Sequence, residues 1–242
     1  MKILAVNGSP RGSRGNTERI LVPFLVGAAE AGAETATVYL KDKRIDHCLG
    51  CFSCWTRTPG ACVHQDDMPE LLKRVAEADL VVYASPLYNY SVTGLMKDFM
   101  DRKLPLLSPV IETRDGQYGH PLRDPAKNAR KTVLISNCGF PGRDNFAILR
   151  DTFNVLTQGQ LTAAILRTQG ELLRIGELQA VLRPFFEAVR QAGREVVECG
   201  GIRPETQVRI DNELMDPKAF QEMANGKWRQ KAPDLTAGAG GE

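Results

Sequence analysis

Ile3-Leu4-Ala5-Val6-Asn7-Gly8-Ser9-Pro10-Arg11-Gly12-Ser13-Arg14-Gly15-Asn16-Thr17 is the stretch that decides the fold. Its first four residues form an unbroken apolar run of strand length, the pattern of a strand buried on both faces. Beyond the last glycine, Ile20, Leu21, Phe24, Leu25 and Ala28 recur at helical spacing. Between the two lies a turn whose glycines let the backbone approach a ligand closely. A turn that ends at a helix N-terminus aims free N–H groups and the positive end of the helix dipole at one point, which makes it a seat for an anion. The Lys-Ser/Thr pair that closes a triphosphate loop is missing, and so is the GxGxxG spacing of dinucleotide sites. Ser9, Arg11, Ser13, Asn16 and Thr17 crowd the turn instead, a set suited to a terminal phosphate held by many hydrogen bonds. The plainer alternative is a glycine-rich turn with Asn16 or Thr17 as an ordinary N-cap.

Working outward, strand and helix patterns alternate along the 242 residues. Strands are expected over 35–40, 79–84, 131–136 and 161–166. Helices are expected over 67–76, 93–102, 145–156 and 178–192. Such alternation demands a parallel sheet covered by helices on both faces. Five strands in this rhythm predict a flavodoxin-like α/β three-layer sandwich with strand order 2-1-3-4-5. In that order a ligand sits beyond the strand C-termini, between strands 1 and 3. One domain is expected over 1–230, interrupted by a cysteine-rich segment at 45–64 and a long Pro-, Gly- and charge-rich loop at 103–130. A Gly- and Ala-rich tail at 231–242 carries no apolar period and is expected to be disordered.

The composition is that of an ordinary soluble chain, 43% hydrophobic and 25% charged. A net charge of +2 gives no bulk attraction to nucleic acid or to a membrane. No stretch approaches the roughly 20 apolar residues that span a bilayer, and no secretory signal opens the chain, so a cytoplasmic location is expected.

Ser85-Pro86-Leu87-Tyr88-Asn89-Tyr90-Ser91-Val92-Thr93-Gly94 leaves the third strand at the same sheet edge as the first loop. Two tyrosines offer flat apolar faces with polar tips, and backbone N–H groups entering another helix could meet the polar edge of a flavin ring. A surface turn packed on the sheet edge is the alternative for this loop taken alone. Together with the phosphate turn, these residues resemble the NAD(P)H-dependent FMN reductase family. The resemblance rests on Asn7-Gly8-Ser9-Pro10-Arg11 with Asn16-Thr17, and on Ser85-Pro86-Leu87-Tyr88 through Leu95-Met96-Lys97-Asp98-Phe99-Met100-Asp101-Arg102. It implies FMN held without a covalent bond, reduced by NADH or NADPH, in homodimers or homotetramers. It places phosphate contacts on Ser9, Arg11, Ser13, Asn16 and Thr17, and ring contacts on Pro86, Leu87, Tyr88 and Asn89. The third loop at the flavin edge would be Asn137-Cys138-Gly139-Phe140-Pro141-Gly142, directly after the fourth strand, with Cys138 and Gly139 as cofactor contacts.

Cys48, Cys51, Cys54 and Cys62 put three thiols within seven residues and a fourth eight positions on. The compact run is like that which wraps a cubane cluster, and it resembles the iron–sulfur flavoprotein subgroup, in which a 4Fe-4S cluster passes electrons to FMN. The last spacer is longer than is typical of that subgroup, so free or redox-switching thiols and a zinc site remain alternatives. His47, His64 and His120 read first as turn or loop histidines. The sequence thus predicts an FMN-dependent oxidoreductase passing electrons from NAD(P)H to a small acceptor, such as a quinone or nitroaromatic, or to another protein. Its rivals are a non-enzymatic flavin and iron–sulfur electron carrier and a flavin or thiol redox sensor.

Overall fold

The computed structural model describes residues 1–114, 116–127 and 130–232. Among the described residues, seven strands run in chain order as β1 (Lys2–Asn7), β2 (Glu34–Tyr39), β3 (Leu80–Pro86), β4 (Glu112–Arg114), β5 (Gln117–Gly119), β6 (Lys131–Asn137) and β7 (Leu161–Arg167). The helices are α1 (Asn16–Glu30), α2 (Met68–Glu77), α3 (Gly94–Asp101), α4 (Ala147–Leu156), α5 (Gln179–Glu198), α6 (Pro204–Asp211) and α7 (Pro217–Lys231). Five strands form one parallel sheet in the order β2-β1-β3-β6-β7. That is the expected 2-1-3-4-5 order once the antiparallel hairpin β4–β5, which lies inside the long loop, is set aside.

The sheet is buried on both faces because successive residues of its strands feed different cores. Ile3 and Ala5 join Leu80, Val82, Val133, Ile135 and Ile165 beneath α1, α5 and α6. Leu4 and Val6 join Val81, Tyr83 and Leu134 beneath α2, α3 and α4. The α1–α5 layer is tight at two glycines. A methyl group on Gly27 would come within 2.7 Å of the Arg190 carbonyl carbon, and one on Gly193 within 2.9 Å of the Phe24 carbonyl carbon, closer still to both oxygens. Glu30 closes that contact at the surface by accepting from Arg190 and Arg194.

Two helices beyond α5 go unforeseen in the sequence. Each buries a single large side chain, Ile210 in α6 and Phe220 in α7, too little to produce an amphipathic pattern. They are tied down by polar groups instead. The fully buried Arg167, at the end of β7, donates from Nη1 to the carbonyls of Ile210 and Asn212, both at 2.9 Å, where α6 ends. Burial depresses its guanidinium to about 10. At the other end of α6, the Glu195 carboxylate accepts from Arg203 N at 2.9 Å and from Thr206 Oγ1 at 2.8 Å. The expected tail overlaps α7 at Lys231 and Ala232 follows; 233–242 lie outside the described residues.

Candidate functional site

The carboxyl ends of the five parallel strands meet in register. Asn7 of β1 faces Tyr39 of β2 and Ala84 of β3, Pro86 of β3 faces Asn137 of β6, and Asn137 faces Arg167 of β7. The loop of residues 8–15 and the loop of residues 87–93 therefore leave the sheet side by side, at the point where the strand order reverses.

The first loop is held rigid by its own side chains. Asn7 Oδ1 accepts from Ser9 N at 2.8 Å, and Ser9 Oγ accepts from Arg11 N at 3.2 Å. Gly12 takes φ +52°, in the left-handed region that favours glycine. The N-cap of α1 is Gly15, and no side chain caps it, so the N-cap alternative for Asn16 or Thr17 does not hold. An uncapped N-terminus on a 15-residue helix leaves its first amides for an external anion. Ser9, Asn16 and Thr17 are buried around it, whereas Arg11 and Ser13 are exposed at its rim. Asn16 Oδ1 is buried without a hydrogen-bond partner, a polar atom that a ligand hydroxyl would satisfy. A side chain at Gly15 would press within 2.6 Å of Ser9 Oγ, so the concavity exists only because that residue is glycine. The donors and the space fit a phosphate group.

Further residues, beyond the expected contacts, build this seat. Asn137 Nδ2 donates to Thr17 Oγ1 at 2.8 Å, tying the end of β6 to the first turn of α1. Glu18 accepts from Asn7 Nδ2 at 2.8 Å and from Tyr39 OH at 2.7 Å. Burial, then the Glu18 carboxylate, push the Tyr39 phenol up to about 12. Thr93, the N-cap of α3, donates from Oγ1 to Gly8 O at 2.7 Å and accepts from Met96 N. It thereby joins the two loops directly. A fourth segment comes from the end of β7, where Glu171 accepts from Asn16 Nδ2 at 3.3 Å. Only the strand register, which brings β7 beside β6, could have flagged it.

In the second loop, Leu87 N donates to Asn137 O, while Tyr88 and Ser91 exchange backbone hydrogen bonds. Asn89 and Tyr90, at φ +47° and +61°, form an exposed tip. Tyr88 and Tyr90 are both about half exposed and Pro86 and Leu87 half-buried, so an apolar ledge flanks the anion seat. Cys138 is buried in the core, its thiol directed to Phe140 O at 3.4 Å and pushed up by burial, with Gly139 exposed beside it.

The cysteine segment winds from the end of β2 onto the outer side of α3. Gly50 and Phe52 turn it through positive φ. Cys48 and Cys51 are exposed, Cys54 is buried and Cys62 is half-buried. Burial, followed by the charges of Cys62, Cys48 and Cys51, pushes the Cys54 thiol up. A hydrogen bond from Ser53 holds the Cys51 thiol down. Among the described residues, no three His, Cys, Asp or Glu side chains stand ready-made as a metal shell. The chemistry of the donor set, four thiols in one short segment, is of the kind that ligates an iron–sulfur cluster. His47, expected as a solvated turn residue, is exposed but pairs with Asp98 at 2.6 Å. His120 lies against Trp55, ring centroids 4.6 Å apart, and Arg123 Nη2 donates to Cys54 O at 3.1 Å. The two irregular segments thus pack on one another.

The model of the NADPH-dependent FMN reductase family matches residues 1–167. The chain belongs to that family. An iron–sulfur flavoprotein of Archaeoglobus fulgidus is 36% identical over 141 residues, 58% of this chain and 57% of the relative. One of Methanocaldococcus jannaschii is 40% identical over 106 residues, 44% of this chain and 53% of the relative. The chain spans about half the length of the curated relatives it matches. Among solved structures, an NAD(P)H:quinone oxidoreductase from Methanothermobacter marburgensis superposes with a TM-score of 0.55 at 14% identity, covering 81% of this chain and 96% of that one. An FMN-dependent NADH-azoreductase from Bacillus anthracis in complex with FMN gives 0.53 at 17% identity, covering 88% and 100%. These likenesses establish the flavodoxin-like fold. Among the described residues, no helix is long and apolar enough to cross a membrane.

Proposed function

We propose that this chain is an FMN-dependent oxidoreductase that takes electrons from NADH or NADPH and delivers them to a small acceptor such as a quinone or a nitroaromatic. The observation that carries the reading is the uncapped N-terminus of α1, with the unpartnered Asn16 Oδ1 beside it, next to the Tyr88–Tyr90 ledge at one sheet edge. FMN, when bound, supplies hydride acceptance and return, and the protein supplies orientation and electrostatics. Ser9, Arg11, Ser13, Asn16 and Thr17 would hold its phosphate. Pro86, Leu87, Tyr88, Asn89, Cys138 and Gly139 would border its ring. Cys48, Cys51, Cys54 and Cys62 would hold a 4Fe-4S cluster, a reading supported by the names of the relatives and by the compact spacing of the four thiols. Assembly into homodimers or homotetramers, in the cytoplasm, completes the reading.

The deciding experiment is purification without oxygen, with an absorption spectrum, iron and sulfide assays, and NAD(P)H oxidation measured on one sample. The expected result is flavin bands over a broad sulfur-to-iron absorption, about four irons per chain, and turnover with a quinone. Flavin bands without iron would remove the cluster. Bound flavin and iron without turnover on any acceptor would favour an electron carrier. A colourless protein that FMN does not reconstitute would overturn the whole reading.

A further inference from the structure

The cysteine segment closes on itself at a neck. Asp67 N donates to Arg44 O at 3.0 Å, and Arg44 N donates to Asp67 Oδ2 at 2.7 Å. One step further in, Asp46 N donates to Asp66 Oδ2 at 2.9 Å. Arg102, the residue that ends α3, reaches into this neck. Its Nη1 donates to Asp46 O at 2.6 Å and to Asp66 Oδ2 at 2.7 Å, and its Nη2 donates to Asp66 Oδ1 at 3.1 Å. Neither side chain has any exposed surface. A charge pair taken this far from water holds only where hydrogen bonds replace its hydration, and Asp66 is supplied in full, accepting from Met68 N as well.

One edge of the guanidinium is not supplied. Arg102 Nε is buried without a partner, an arrangement that costs free energy unless something accepts from it. The thiol beside the guanidinium is that of Cys62. Residues 46 and 66 bracket all four cysteines, so a single side chain both fastens the two ends of the segment and stands next to its last thiol.

We propose that Arg102 is a positioning residue of the cysteine site: clamped by Asp66, it shuts the neck of the loop and keeps its remaining N–H for the sulfur of Cys62. The inference rests on the reading that the four cysteines hold a cluster. It makes Cys62 the one ligand backed by a fixed, desolvated cation, while Cys48 and Cys51 face solvent. A hydrogen bond and a positive charge at a ligand sulfur favour the more negative, reduced cluster, and so raise its potential.

The test is Arg102→Lys in the full chain, which keeps a cation opposite Asp66 and removes the fork together with Nε. Circular dichroism and FMN content verify that the variant is folded. The expected result is iron lost to a chelator ten- to a hundredfold faster than from the wild-type protein, and a cluster midpoint potential moved to more negative values. Asp66→Asn loosens the clamp without changing its shape and should speed iron loss by less, while the lost carboxylate charge leaves the arginine cation uncompensated and moves the potential upward. Iron retention and potential equal to wild type in both variants would overturn the proposal. Should the wild-type protein take up no iron, the cluster reading fails and trypsin cleavage at Arg57, inside the loop, decides the clasp. Faster cleavage in Arg102→Lys upholds it, and equal cleavage overturns it.

Discussion

Alanine in place of Gly27 is expected to destabilise the fold, although alanine is the better helix former. In a helix with free space around it the exchange stabilises by about 1 kcal/mol. At Gly27 the new methyl group would stand 2.7 Å from the Arg190 carbonyl carbon, and ordinary contact begins at 3.4 Å. The Arg190 carbonyl oxygen lies nearer still, so α1 and α5 must part by about 1.5 Å, which also opens the matching contact at Gly193 and loosens Phe24, Ala188 and Ala192 between them. Overpacking of this kind costs about 1–3 kcal/mol before the lost contacts are counted. A net destabilisation of about 2 kcal/mol is expected, a fall in Tm of about 4–8 °C for a chain of this size. Gly226 in α7 supplies the control, because nothing lies within 4 Å of a methyl group placed there, and Gly226→Ala should raise Tm by about 2–4 °C. Calorimetry of the two variants measures both signs. Equal upward shifts would refute the packing argument. Because α1 carries the anion seat at its first turn, Gly27→Ala should also weaken FMN retention, whereas Gly226→Ala should not.

Thr17→Val leaves Asn137 Nδ2 buried with no acceptor, at a cost of about 1–3 kcal/mol; denaturant unfolding and flavin titration should both weaken, with Thr17→Ser near wild type. Glu195 is held below the ordinary glutamate range because, against the upward push of burial, Arg203 N, Thr206 and Gln191 donate to its carboxylate. Its contribution is present above about pH 4.3 and is lost as pH falls through its lower folded value. The stability gap between wild type and Glu195→Gln should therefore be open at pH 7 and narrow at pH 3, and a gap independent of pH would count against it. Gly15→Ala fills the seat against Ser9 Oγ, so FMN retention should drop with little change in far-ultraviolet circular dichroism; unchanged retention would move the phosphate elsewhere.

The central sheet was legible because its strands are continuous apolar runs, and a parallel order follows once helices alternate with them. Ser9, Asn16 and Thr17 were legible because a turn entering a helix leaves few places for polar side chains. Glu171 was not, nor was the bond from Asn137 to Thr17, since each links positions more than a hundred residues apart. The helix α7 did carry a local signal: Asp216 before Pro217, with the aspartate accepting from Lys218 N and Ala219 N. The hairpin β4–β5 likewise had one in Gly116, which stands at positive φ between its strands. Both were masked by the weak apolar pattern around them. The Asp66–Arg102 pair was invisible for a different reason, because charged residues at ordinary spacing give no sign of being wholly buried.

The packing of Trp55 on His120 and of Arg123 on the Cys54 carbonyl has a consequence for how such a chain can be rebuilt. The five parallel strands pair without help from either irregular segment, so the segments are appendages that fit one another. Moved together with the outer face of α3, they would arrive on another sheet of this kind with their hydrogen bonds already matched. Moved singly, the cysteine segment would bring a Trp55 indole without its acceptor at Leu104 O, and the long loop would keep the bond from Arg123 to Pro105 O but lose the one to Cys54 O. They are transplantable as a pair, and as a pair only.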